Sequence, residues 1–196
     1  MTVSHPSTLT RLIPFNPHRF DACMAYLAKL YGRPLSVFEM VKHHVMTDVY
    51  HVLKHGHQVI GGELRPWPYG PVVEEAYNRL KYWEHRHEES GGTFQPTEYK
   101  IEKGDLATFS PTTALDPEEL SPSELEAMGE AIALLKPMSF DAAYRFFHRD
   151  ESFMGSAYNR AIAENRALSW EDIIDSYDAI WGTNHQNIKR RLISYG

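Results

Sequence analysis

The sequence predicts a mainly α protein: a single compact helical domain with a small antiparallel β element. Three observations carry that prediction. Apolar residues recur at three- and four-residue spacing in several separate stretches. Serine, proline and glycine punctuate those stretches where helices start and stop. Extended and hairpin signals are confined to two short runs, near 63–67 and 99–109. A chain of 196 residues suits one domain. The expected organisation is an N-terminal arm over 1–18, a helical domain over 19–182 and a basic tail over 183–196.

The first helix is expected over 19–30, with Phe20, Met24, Leu27 and Ala28 inward, ended by Gly32 and Pro34. A second begins near Ser36. Phe38, Val41, Val45, Val49 and Val52 form one stripe on it, with Leu53 at the edge, and its histidine, lysine, threonine and aspartate residues occupy the other side. Valines weaken a helix intrinsically, so burial of that stripe must stabilise it. Gly61-Gly62 breaks the chain and Glu63–Trp67 is extended, because a residue before proline avoids the helical region. Pro71 is expected to open the third helix, whose inward face is Val73, Ala76, Tyr77, Leu80 and Trp83.

Residues 84–97 read as a loop, and Tyr99–Ile101 with Leu106–Phe109 as a small hairpin around Gly104-Asp105. A further loop covers 110–120. Ser121-Pro122-Ser123-Glu124 is a helix start with cap, first-turn proline and capping-box glutamate. Leu125, Met128, Ile132 and Leu135 follow it inward until Pro137. Ser139 caps a helix with a ring-rich face of Phe140, Ala143, Tyr144 and Phe147, Ser156–Glu164 form a turn or two, and Ser169 caps a helix carrying Ile173, Ile174, Tyr177, Ile180 and Trp181.

Composition excludes several function classes. The net charge of -6 gives no bulk attraction to a polyanion, and Lys189-Arg190-Arg191 reads as charge at a helix end, so nucleic acid is not an expected partner. The single cysteine, Cys23, rules out an internal disulfide and reads as a buried thiol. No apolar run approaches the roughly 18 residues of a membrane span, and MTVSHPSTLTRL lacks a signal peptide's apolar core. A cytoplasmic location without a membrane partner is expected.

Histidine is over-supplied: eleven in all, five of them between positions 43 and 57. His44, Asp48, His51 and His55 follow three- and four-residue spacing along one helix flank, and a His-x3-His pair joined by a carboxylate can hold a metal. A metal-dependent enzyme on these four is the weaker alternative. Val52 stands where a zinc protease needs glutamate, and surface or hydrogen-bonded histidines are the expectation. There is no Gly-x-Ser-x-Gly elbow, Walker motif or dinucleotide loop. Neither enzymatic activity, a catalytic residue nor a cofactor is expected.

The stretch LRPWPYGPVVEE packs three prolines, a glycine and two large rings into eight residues. Rings of this kind fill a core or anchor a partner, where they lose little entropy on binding. Together with the preceding MVKHHVMTDVYHVLKHG, this stretch resembles the Panacea domain, the family of the SocA-like antitoxins. Met46-Thr47-Asp48 stands for the run before the family's aspartate, Trp67-Pro68-Tyr69-Gly70-Pro71-Val72 for its central signature and Tyr77 for its downstream tyrosine. The resemblance extends over roughly 20–178, departing at Thr47 and at His43, His44 and His51. It implies a mainly helical antitoxin, sometimes phage-associated, that neutralises a cognate protein toxin by direct binding and in some members delivers it to a protease. On that basis Trp67, Tyr69, Tyr77 and Asp48 are the expected partner-binding residues, and Gly70 and Pro71 the structural turn. The contrasting expectation is a structural or regulatory protein with no toxin.

Overall fold

The computed structural model describes residues 13–112 and 119–194. Among these are eight helices and five short strands. In chain order they are α1 (Pro17–Tyr31), β1 (Leu35–Ser36), α2 (Val37–His55), β2 (Leu64–Trp67), β3 (Gly70–Val73) and α3 (Glu74–Glu89). There follow β4 (Tyr99–Lys103), β5 (Ala107–Pro111), α4 (Pro122–Leu135), α5 (Phe140–His148), α6 (Phe153–Ala163), α7 (Trp170–Trp181) and α8 (Gln186–Ser194). The fold class is the expected one. No helix among the described residues is long and apolar enough to cross a membrane.

Local chemistry explains most boundaries. Ser36 and Ser121 each close a capping box, with Glu39 and Glu124 respectively, at the starts of α2 and α4. Asn16, Ser139, Ser152 and Ser169 accept first-turn N–H groups at α1, α5, α6 and α7. Gly32, Gly56 and Gly182 end α1, α2 and α7 in the left-handed conformation. Because Asn16 is the cap, α1 starts at Pro17 and takes in the last two residues of the expected arm; residues 1–12 of that arm lie outside the described residues. So do 113–118 of the expected 110–120 loop and 195–196 of the tail.

Both boundaries of α3 differ from expectation. The segment 84–97 is not a loop throughout, because α3 runs to Glu89. Its outer turns carry Lys81–Glu84 and His85–Glu89 pairs at helical spacing, which support a helix without any apolar stripe. Pro71 does not open α3. It lies in β3, paired opposite Pro66 of β2, and α3 begins at Glu74. The missing N–H of Pro71 is therefore absent from a two-stranded edge rather than from a helix start.

α2 is the axis of the molecule, packed against α1, α3, α4, α8 and β3. Val41, Val45, Val49 and Val52 are buried as expected, each contributing about 1.5–3 kcal/mol of apolar burial. Yet the other side of α2 does not face water. Lys42, His43, His44, Thr47, Asp48 and His51 are buried too. The spacing of valines tells which face is apolar; it does not tell how many neighbours cover the helix. Elsewhere the antiparallel order β1-β5-β4 forms a small sheet, with Leu35 opposite Phe109 and Phe109 opposite Ile101. Tyr99, at the start of β4, donates its hydroxyl to the buried Asp21 of α1, which Arg79 of α3 also binds at 2.8 Å.

Candidate functional site, an aromatic groove

The polar flank of α2 divides into two sets of groups. The first set fixes a loop. Asp48 Oδ1 accepts the N–H groups of Val59 and Ile60, both at 2.8 Å, and Oδ2 accepts those of Gly61 at 2.9 Å and of Gln58 Nε2 at 3.3 Å. Burial by itself raises this carboxyl; the His44 ring and the Ile60 and Gly61 amides outweigh it and hold the carboxyl below its ordinary value. Gly61 and Gly62 have φ of +86° and +99°, and a Cβ on either would collide, with Ile13 and Pro14 carbonyls or with Val73. Asp48 was expected among the partner contacts. It is fully buried, with its oxygens occupied by the loop, which is the geometry of a group that holds the fold.

The histidines are similarly engaged. His44 Nε2 lies 3.0 Å from the Gly61 carbonyl and donates to it. His51 Nδ1 meets the His57 carbonyl at 2.8 Å and its Nε2 meets Ser123 Oγ at 3.3 Å. The His51 ring lies 4.6 Å from that of His55 and 4.5 Å from that of His57. Among the described residues no three histidine, cysteine, aspartate or glutamate side chains come together as a metal site. His44, Asp48 and His51 thus share a flank of α2 as their spacing predicts and turn to the loop that follows the helix, while the His55 ring packs on His51.

The second set builds a groove. β2 and β3 form a tight hairpin in which Trp67 faces Gly70 across the two-residue turn Pro68-Tyr69. Pro68 supplies a fixed φ at the turn's first central position, and Gly70 supplies the positive φ of +88° that follows. A Cβ at Gly70 would lie 2.7 Å from Phe147 Cβ, so glycine also lets the hairpin seat against α5. With prolines at 66, 68 and 71 the hairpin has few ladder N–H groups of its own. Its carbonyls are bound from outside instead: Leu64 by the Leu168 amide, Trp67 by the Tyr158 hydroxyl, Pro68 by the His148 ring and Pro71 by Lys42 Nζ. The stiffness of the stretch therefore comes from α2, α5 and α6 as much as from its prolines.

The outward side of this clamped hairpin, the start of α2, α3 and the β4–β5 turn enclose a largely apolar groove of about 500 Å³. Trp67 and Tyr77 meet edge to face at 4.8 Å in its wall. Tyr69, 63% exposed, stands 6.2 Å from the ring of Phe140, itself 53% exposed and 5.0 Å from that of Phe38. Leu106, 72% exposed, closes the rim from the β4–β5 turn. Of the expected partner-binding residues, the structure gathers Trp67, Tyr69 and Tyr77 here, with Gly70 beside them, and leaves Asp48 elsewhere.

Sequence reasoning missed Lys42, Phe38, Phe140 and Leu106 as groove residues. Lys42 was placed on the side opposite the valine stripe, yet its spacing was informative: Phe38, Val41, Lys42 and Val45 follow the i, i+3, i+4, i+7 rule, so the apolar stripe itself contains a lysine. Phe140 was assigned to the ring-rich face of α5 without a neighbour across from it. It is the first residue of α5, where no preceding helical turn covers it.

A family model described as "Antitoxin SocA-like, Panacea domain" matches residues 41–152, more than half of the chain and a narrower span than the 20–178 resemblance. That span contains most of α2, the whole β2–β3 hairpin and α3 through α5, and so most of the groove. No curated protein and no solved structure matches the chain. The chain belongs to the SocA-like antitoxin family that carries the Panacea domain.

Proposed function

We propose that this protein is an antitoxin that neutralises a cognate protein toxin by direct binding, and that the toxin seats on the groove bounded by Trp67, Tyr69 and Tyr77. One observation carries the location: a hairpin held by four external hydrogen bonds presents an exposed tyrosine beside an exposed phenylalanine and leucine. A soluble fold gains nothing by exposing three large apolar side chains around one hollow, whereas pre-organised aromatic anchors are what protein interfaces use. Because the hairpin backbone that carries Trp67 and Tyr69 is already fixed, little backbone ordering entropy opposes association.

The test is co-expression with the product of the adjacent reading frame. Growth rescue together with a stable co-purified complex supports the antitoxin reading; no rescue from a toxic neighbour sinks it. Toxin half-life in the rescued cells separates the two modes of action. A toxin retained at normal lifetime marks neutralisation by occlusion, and a toxin that disappears faster with the antitoxin present marks delivery to a protease.

A further inference from the structure

Lys42 is buried to 2% exposure, and lysine is rarely enclosed without an anionic partner. Its Nζ donates to the Pro71 carbonyl at 2.8 Å and lies 4.9 Å and 5.5 Å from the rings of Phe147 and Phe38. Three N–H donors are present on an ammonium group, and this one has a single protein acceptor. No carboxylate among the described residues forms an ion pair with it. The side chain nonetheless lines the aromatic groove, and it lines a second hollow of about 320 Å³ that adjoins the first at Phe38, Leu106 and Phe140.

The charges around the two hollows are unbalanced. Arg33, Lys42, Lys81 and Lys136 are the lining cations, and Glu39 and Glu84 the lining carboxylates. Glu39 pairs with Arg33 and Glu84 with Lys81. Lys136 donates to the Leu30 carbonyl at 3.0 Å and sits over the Tyr31 ring. Subtracting the two internal pairs leaves Lys42 and Lys136 in excess, within a chain whose net charge is -6. His43, the remaining titratable lining group on α2, is bound to Glu39 O and Tyr31.

We propose that the groove is selective for a carboxylate on an apolar framework, that Lys42 is the group that pairs with it, and that its occupant is an apolar segment of the neutralised protein carrying an aspartate or glutamate. The occupant rests on the antitoxin reading above; the charge selectivity does not. Aromatic walls take the apolar part of such a segment, and the floor supplies the charge-assisted hydrogen bonds that the protein itself leaves unmade. Burial pushes the free Lys42 amine down to about 7. A carboxylate at hydrogen-bond distance reverses that trend by favouring the ammonium form.

The experiment compares 2-naphthylacetate with its neutral isostere 2-naphthylacetamide, using the full chain labelled at lysine Cε and Nζ for NMR. On the wild-type protein the acid is expected to bind about tenfold tighter or more, the effect of one good charge-assisted hydrogen bond, and to shift the Lys42 signals. In Lys42→Met the two probes are expected to bind alike. Equal affinity on the wild-type protein, or selectivity that survives Lys42→Met, overturns the proposal. If Lys42→Met does not fold, the wild-type spectrum still decides, because acid binding that leaves the Lys42 signals in place overturns it equally. A second arm titrates 2-naphthylacetate into the purified toxin–antitoxin complex. Displacement of the toxin supports the protein occupant; acid bound with the toxin still attached overturns it. Acid selectivity without growth rescue leaves the groove its chemistry and removes its protein occupant.

Discussion

Asp48 and Lys42 lie six positions apart on α2, both buried and both ionisable, and their surroundings differ in kind. Asp48 has four N–H donors arranged around its two oxygens, all from residues 58–61. Lys42 has one acceptor and two ring faces. A buried charge whose hydrogen-bonding capacity is matched by its own chain holds structure; one that is under-matched and borders a hollow is available to a ligand. The aspartate was the residue singled out from sequence as a contact, and the lysine was not. Burial alone does not distinguish them. The count of local partners does.

The largest effect on that contrast comes from removing the matched charge. Asp48→Ala leaves the amides of Val59, Ile60 and Gly61 buried without an acceptor, at about 1–3 kcal/mol each before relaxation. A net loss of about 4 kcal/mol is expected in urea unfolding, with the 57–62 loop and its contacts to Ile13 and Asn16 loosened together. A loss under 1 kcal/mol breaks the comparison, since Asp48 then does not hold the loop.

Next in size is an acid effect from a third group on the same helix. The neutral His43 ring donates from Nδ1 to the Glu39 carbonyl at 2.8 Å and accepts the Tyr31 hydroxyl at Nε2, 3.1 Å away. Burial lowers it from 6.5 to about 4. The unfolded chain therefore binds more protons between these values, and stability falls as pH drops from 6.5 to 4 and is level for this group on either side. The shift corresponds to about 3 kcal/mol. Unfolding free energy followed against pH in the wild type and in His43→Gln is expected to differ by that slope. The same slope in both proteins removes His43 from the matched class.

How much of this was legible in the sequence follows from which forces are local. Helix starts at Ser36, Ser121, Ser139 and Ser169 were readable, because a cap is a contact within four residues. The 99–109 hairpin was readable from its turn. The end of α3 was not, because side-chain pairs rather than an apolar stripe continue it. Pro71 was misassigned because a proline before a helix and a proline on a strand edge have the same φ; only the pairing with Pro66 separates them. In the site, Trp67, Tyr69 and Tyr77 were legible as rings near a rigid turn. Phe140 and Leu106 arrive from 70 and 36 residues further along than Gly70, and no local pattern brings them there.

The smallest stability effect discriminates most sharply at the groove. Trp67 is half-buried against Tyr77, so Trp67→Ala removes packing from the hairpin itself while its main-chain carbonyl can still take the Tyr158 hydroxyl. About 2 kcal/mol of lost stability is expected, below the roughly 3–5 kcal/mol of a fully buried large aromatic because part of the ring is already wet. Tyr69 is 63% exposed and forms no hydrogen bond through its hydroxyl among the described residues. Tyr69→Ser should therefore leave the unfolding free energy within about 0.5 kcal/mol of wild type. If the groove is the docking surface, the same substitution is expected to weaken the toxin complex at least about tenfold, the usual consequence of truncating an aromatic anchor by more than 1 kcal/mol. Calorimetric binding and urea unfolding on the two variants separate the roles. Loss of stability without loss of affinity in Trp67→Ala, with unchanged affinity in Tyr69→Ser, makes the hairpin a fold element alone. Retained stability and lost affinity in Tyr69→Ser places the contact on the side chain that the clamped turn holds out into solvent.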